Sequence, residues 1–194
     1  MKLINENIEH KFTRGGEDKL TSIGVGKIDL IKKWLEEKRV SGYNINDDLT
    51  INVNGDVNLF NRHLSNFPDY IQFNEVGGDF NIAINDFTSL RGCPLYVGED
   101  FACSMNKLNS LEYSPIIVEK RYFCARNSLT SLDGSPKSVG STFNCSRNNL
   151  KSFETLNTIV GGNLVCYKNL YDWDEIKNLM NRKIIKGDIV EYES

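Results

Sequence analysis

The 194-residue sequence predicts an α/β solenoid, a short parallel β array closed by a helical cap at each end. Three features predict it. Residues recur with a period of 21, the inward slots of each unit stand two apart as a strand requires, and an amphipathic segment precedes the first unit.

The units open on Val53, Val76, Val97, Val118, Val139 and Val160; the first spacing is 23 residues and the other four are 21. With each valine as position zero, position four holds Val57, Phe80, Phe101, Tyr122, Phe143 and Leu164. Position six holds Leu59, Ile82, Cys103, Cys124, Cys145 and Cys166, so four of the five cysteines share one slot. Position nine is asparagine in Asn85, Asn106, Asn127, Asn148 and Asn169, with Arg62 departing from the rule. Apolar residues follow at position eleven, from Leu64 to Tyr171, and at position fourteen, from Phe67 to Phe153. Glycine follows the valine at Gly77, Gly98, Gly140 and Gly161, and proline occupies position eighteen at Pro94, Pro115 and Pro136.

Positions four and six lie on one face of a short strand and must point inward. The asparagine is placed to turn its amide onto backbone groups where the chain leaves the strand, so stacked asparagines form a polar ladder. Glycine and proline shape the return path. One unit cannot bury its faces alone, and stacking closes the core. The expected product is a single parallel sheet along one side of a curved rod.

The ends need different structures. Lys27–Arg39 puts Ile28, Ile31, Trp34 and Leu35 on one helical face, with Gly24–Lys27 as a flexible entry and Ser41–Gly42 as the stop. Leu49, Ile51 and Val53 alternate as a strand. Asn54–Gly55 is a hairpin signal, but it also fits the repeat, which favours a helix-plus-strand cap. At the other end Trp173, Ile176, Leu179 and Met180 suit a short helix begun by Asp172 or Asp174. The expected organisation is a polar leader and helix/strand cap over 1–52, the solenoid over 53–171 and a C-terminal cap over 172–194. Residues 1 to about 20 show no period and are expected to order on a partner.

Composition bounds the chemistry. A net charge of −3 gives no global attraction for nucleic acid or an anionic membrane. The N-terminus lacks the apolar core of a secretory signal, and no run of eighteen apolar residues exists, so an intracellular protein without a membrane span is expected. Cysteines at position six share their slot with Ile82 and Leu59 and read as buried hydrophobes, not zinc ligands. Cys93 falls outside that slot and is the one candidate reactive thiol. His10 and His63 have no nucleophile setting around them, and Gly24-Val25-Gly26-Lys27 fails the phosphate-loop spacing. No enzyme activity, cofactor or metal is expected.

The segments VGGDFNIAINDFTSLRGCP and VGSTFNCSRNNLKSF, with the leader GVGKIDLIKKWLEEKRVSGYNINDDLTINVNGDVNL, resemble the leucine-rich-repeat-like proteins of large tailed bacteriophages. The resemblance implies an accessory protein acting in the infected host cytoplasm, with no established general activity. Glu119, Lys120 and Arg121 depart from its Gly-Gly-Asp preference.

If positions four and six face inward, positions three, five and seven, joined by eight, form an outward face that is expected to be concave. It is acidic early, with Asp56, Asp79 and Asp100, and basic late. Exposed aromatics beside arginine favour binding, which selects Arg121, Phe123, Arg126, Arg147, Tyr167 and Lys168 as the partner-binding candidates. The expected function is non-catalytic binding of a host or phage protein, as an inhibitor or redirector of a host enzyme or toxin. The alternatives are nucleic-acid binding through the basic end and a structural place in the virion.

Overall fold

The fold comes from a computed structural model that describes residues 17–191. The leader before residue 17 lies outside them. The described chain is a β-solenoid of about seven turns, with parallel strands and a short helix near each end.

Helix α1 (Glu17–Glu37) starts earlier than the periodicity suggests and runs through Gly24 and Gly26. Two interior glycines raise the cost of a helix by about 1 kcal/mol each without forbidding it, so Gly24–Lys27 is helix and not an entry loop. The stop also lies earlier than Ser41–Gly42. Arg39 adopts φ 59°, Val40 N donates to Leu35 O at 2.8 Å and Arg39 N to Glu36 O at 2.9 Å. That is a left-handed Schellman end, and its apolar pair, Val40 with Leu35, is buried. Ile31, Trp34 and Leu35 enter the core, where Trp34 meets the edges of Phe67 and Phe73 at 5.8 and 6.4 Å.

Next, β1 (Tyr43–Ile45) pairs antiparallel with β2 (Ile51–Val53). This is the helix-plus-strand cap expected of the leader: it gives the first sheet an antiparallel outer strand. Asn54–Gly55 forms a corner of the first turn and no hairpin, because β3 (Val57–Asn58) joins a different sheet from β2.

That separation corrects the expected single sheet. Each turn carries two short strands, and each set stacks into its own seven-stranded sheet. The first sheet holds β1, β2, β4 (Phe73–Val76), β6 (Tyr96–Val97), β8 (Ile117–Val118), β10 (Ser138–Val139) and β12 (Ile159–Val160). The second holds β3, β5 (Phe80–Asn81), β7 (Phe101–Ala102), β9 (Tyr122–Phe123), β11 (Phe143–Asn144), β13 (Leu164–Val165) and β14 (Ile189–Val190). The repeat valines therefore close a strand of the first sheet, and position four opens one of the second. The glycine at position one forms the corner between them. A Cβ at Gly98, Gly140 or Gly161 would collide with the carbonyl of the same position one turn earlier, so backbone packs directly on backbone there.

Inside, every position-four side chain is buried and the rings stack. Phe80, Phe101, Tyr122 and Phe143 follow one another at 5.7, 5.1 and 5.0 Å with interplanar angles of 2°, 12° and 10°. The one hydroxyl in that column, on Tyr122, meets Ser114 Oγ at 2.5 Å. Beside the rings, Cys103, Cys124, Cys145 and Cys166 are fully buried.

The asparagine ladder forms as the sequence predicts. Asn127 Nδ2 donates to the carbonyls of Cys103 and Cys124, both at 3.1 Å, and its Oδ1 accepts from Leu108 N at 3.1 Å. Asn148 repeats this one turn on, donating to Cys124 O and Cys145 O at 3.1 and 3.0 Å and accepting from Leu129 N at 3.1 Å. Asn85, Asn106 and Asn169 do the same in their turns.

The C-terminal segment does more than cap. Helix α2 (Trp173–Asn181) is capped by Asp172, whose side chain accepts from the N–H groups of Asp174 and Glu175. Only Ile176 and Leu179 face the core; Trp173 and Met180, expected on the same face, are 59% and 63% exposed. A nine-residue helix lying across one turn buries a single ridge. Beyond it Ile185 bridges Val160 and β14 pairs with β13, completing a seventh turn. Its spacing of 25 residues, stretched by the inserted helix, and Glu191 in the cysteine slot hide it from the period.

Asn148 is buried and its side chain bonds the backbone of Cys124, Cys145, Ser146, Asn127 and Leu129, so Asn148→Ala should lower the unfolding free energy by about 2–4 kcal/mol. The exposed neighbour variant Asn149→Ala should stay within about 0.5 kcal/mol of wild type. Urea unfolding of both checks this, and equal losses would contradict the ladder's role.

Candidate functional site

The outward rows beside the second sheet carry the six predicted binding residues. Main-chain bonds between turns run along positions three to eight, as in Phe101 N to Arg121 O, Cys103 N to Phe123 O and Met105 N to Ala125 O. Equivalent residues are thereby held in register, roughly 4.8 Å apart from turn to turn.

Position three is a structural row. Asp56 Oδ1 accepts from Asp79 N at 2.8 Å, Asp79 Oδ1 from Asp100 N at 2.9 Å and Asp100 Oδ1 from Arg121 N at 3.0 Å. The acids expected to make one end of the face negative are spent on backbone N–H groups. Arg121 belongs to this row: its Nε donates to Asp100 Oδ2 at 2.9 Å, and its guanidinium lies 5.3 Å from the Phe123 ring centroid. Lys120 forms an ion pair with Glu99 in the same way. The Glu119-Lys120-Arg121 departure thus has an intramolecular reason, two cations matched to Glu99 and Asp100 one turn earlier.

Position eight is different. Asn61, Ile84, Met105, Arg126, Arg147 and Lys168 all have positive φ, between 52° and 58°. The chain swings left-handed at this point, immediately before position nine, which is the ladder asparagine in every turn but the first. Such a conformation costs an L-residue roughly 1–2 kcal/mol and suits glycine or asparagine. Only the first turn has asparagine there. The other five carry a branched, long apolar or long cationic side chain, with the three cations in consecutive turns. Arg126 and Lys168 are exposed, and Arg147 is half-buried with its guanidinium 5.8 Å from the Tyr167 ring centroid. The structure therefore gathers Arg126, Arg147, Tyr167 and Lys168 along one edge and holds Arg121 and Phe123 apart, around Asp100.

The thiols carry no chemistry outward. Burial pushes Cys103 from 9.0 up to about 12 and Cys166 up to about 11. Burial likewise raises Cys93, Cys124 and Cys145 well above the ordinary thiol range. Cys93, the candidate reactive thiol, is 2% exposed; a buried, protonated sulfur is a poor nucleophile. Among the described residues no three of His, Cys, Asp and Glu group as a metal site. No helix among them is long and apolar enough to cross a membrane.

The sequence reading missed the outer face of the first sheet because it expected one sheet. Leu95, Ile116 and Ile159 are 42–53% exposed there, with Tyr96 and Ile117 half-buried between them. The signal was present: Tyr96-Val97, Ile117-Val118 and Ile159-Val160 put an apolar residue on both sides of a strand. No family model matches the chain, and none of the curated proteins matches it.

Two outcomes test this geometry. Ile84→Asn relieves a branched residue at φ 54° and should raise stability by about 1 kcal/mol, read by urea unfolding; a loss of that size would contradict the strain. For the thiols, the folded state binds the proton more tightly than the unfolded chain. Their contribution is therefore complete below pH 9.0 and is lost as the pH climbs toward 12. Unfolding free energy should fall across that alkaline window, and iodoacetamide should label the native protein at neutral pH far more slowly than the urea-unfolded chain.

Proposed function

We propose that this chain is a non-catalytic protein-binding module that docks an acidic surface of its partner on the position-eight edge. The observation that carries the reading is the left-handed row itself. Backbone strain favours asparagine or glycine at each step, yet the turns keep the branched Ile84, the long Met105 and the exposed cation Arg126 there. Side chains retained against the backbone's preference point to a use outside the fold. Apolar side chains followed by three cations, with Tyr167 against Arg147, are the composition of a contact surface centred on arginine and aromatic anchors.

The resemblance to leucine-rich-repeat-like phage proteins makes a host protein the favoured partner, such as a defence enzyme or toxin met in the host cytoplasm. Arg121 and Phe123 take a lesser part in this reading, since Asp100 already engages the guanidinium.

A second reading, nucleic-acid binding, is favoured by the stacking of Arg126, Arg147 and Lys168 on consecutive turns, where phosphates would meet a line of charge. It predicts a shift of single- or double-stranded DNA or RNA at low salt that collapses as salt rises.

The deciding experiment captures partners from a bacterial host lysate with the tagged wild type, with Arg126→Glu, and with Arg126→Glu/Arg147→Glu. Binding should weaken in the single variant and vanish in the double, while the thermal transition stays in place. Undiminished capture by a folded double variant would remove this edge from the interface.

A further inference from the structure

We infer that the outer face of the first sheet is a self-association surface that pairs with a second copy of this chain. The argument starts from register. Parallel pairing stacks Glu75, Tyr96, Ile117, Ser138 and Ile159 in one column on successive turns. The neighbouring column follows from the turn-to-turn bonds Leu95 N to Asn74 O, Ile116 N to Leu95 O and Lys137 N to Ile116 O. The two columns give a centre of Leu95 and Tyr96 on one turn and Ile116 and Ile117 on the next, apolar except for the Tyr96 hydroxyl, which Glu119 engages. Leu95 and Ile116 are 44% and 42% exposed, and each stands one residue before its strand, beside the half-buried Tyr96 and Ile117.

What identifies the occupant is the charge on either side. One turn before the centre stands Glu75; one turn after it stands Lys137, and both are exposed. Among the described residues neither takes part in an ion pair. Consider a two-fold axis lying parallel to the strands and passing between β6 and β8. Rotation about it lays the face on itself, setting β6 against β8 of the second copy and β4 against β10. Leu95 and Tyr96 then meet Ile116 and Ile117 of the second copy, while Glu75 lies over Ser138 and Lys137 over Asn74, so that Glu75 meets Lys137 of the second copy across an offset of one residue, at both ends at once. A patch whose acid and base are interchanged by the same rotation that joins its apolar halves is self-complementary, as an isologous interface must be. It also has the apolar core and charged rim of stable interfaces.

This surface is separate from the position-eight edge, so its test does not depend on the proposed function. Sedimentation equilibrium on the full chain should show a dimer at micromolar concentration. Leu95→Asp and Ile116→Asp should each weaken association by at least about tenfold with the circular dichroism spectrum and thermal transition retained. Glu75→Lys and Lys137→Glu should each weaken it, and the double variant, which restores opposite charges across the axis, should recover the wild-type constant. A monomeric wild type would overturn the proposal, including one whose face captures a different protein. So would a dimer indifferent to Leu95→Asp and Ile116→Asp, or a double variant weaker than either single one.

Discussion

Every turn must leave its second strand in the same place, and doing so strips partners from the backbone on both sides of the bend. The carbonyls of Cys103, Cys124 and Cys145 point along the stack where no strand remains to meet them, and the N–H groups of Leu108, Leu129 and Leu150 need acceptors. A single asparagine per turn satisfies both sets: its amide spans two carbonyls from adjacent turns and its oxygen takes an N–H from the turn before. Because each asparagine bonds to two turns, the bend is also a register lock. It does not permit a slip of one residue at the bend without orphaning buried polar groups, whereas the two extra residues of the 23-residue first turn leave the bonds of Asn85 intact.

The other regularities depend on that lock. Rings at position four stack nearly parallel because their backbones are held in step. Position eight bends left-handed in every one of the six turns, including the first, where Arg62 stands in place of the asparagine, so the strain belongs to the shared path of the turns and is not an accident of one of them. The same register lets charge be matched across turns. Lys107 meets Asp86 at 2.8 Å, Lys120 meets Glu99, and Arg121 meets Asp100. Exposed pairs of this kind add little stability singly, but they fix which cations are engaged within the fold.

The parts of this fold legible in the sequence are those the lock repeats. Inward slots four and six, the asparagine ladder and the corner glycines recur at fixed spacing, so period alone exposes them. The start of α2 was legible to within the pair Asp172 and Asp174 for a local reason, since capping involves only the next few residues, and the structure selects Asp172. The split into two sheets was not. The valine and position four lie four residues apart on both sides of a corner, and hydrophobicity reads the same whether one strand or two carries them. The seventh turn escaped because α2 stretches the spacing and Glu191 replaces the cysteine. Among the candidate binding residues, Arg121 looked outward by position but is tied to an acid one turn away, a pairing visible only once Glu99-Asp100 is aligned with Lys120-Arg121. Left-handed φ at position eight had no signal at all, because the residues found there are not the ones that conformation prefers.

That mismatch separates structural from functional departures. Inward positions answer to the columns above and below them, and a poor choice leaves a cavity or an unpaired group. Outward positions answer to the stack only where a neighbouring turn offers an opposite charge or a backbone N–H, as it does to Asp56, Asp79 and Asp100. Glu119-Lys120-Arg121 breaks the repeat and is explained from within, by Glu99 and Asp100. Ile84 and Met105 break a backbone preference with no such compensation, and Arg126 extends their row as an exposed cation. A solenoid repeats its internal constraints from turn to turn, so an outward residue that defies them without an internal partner owes its identity to something the fold itself does not supply.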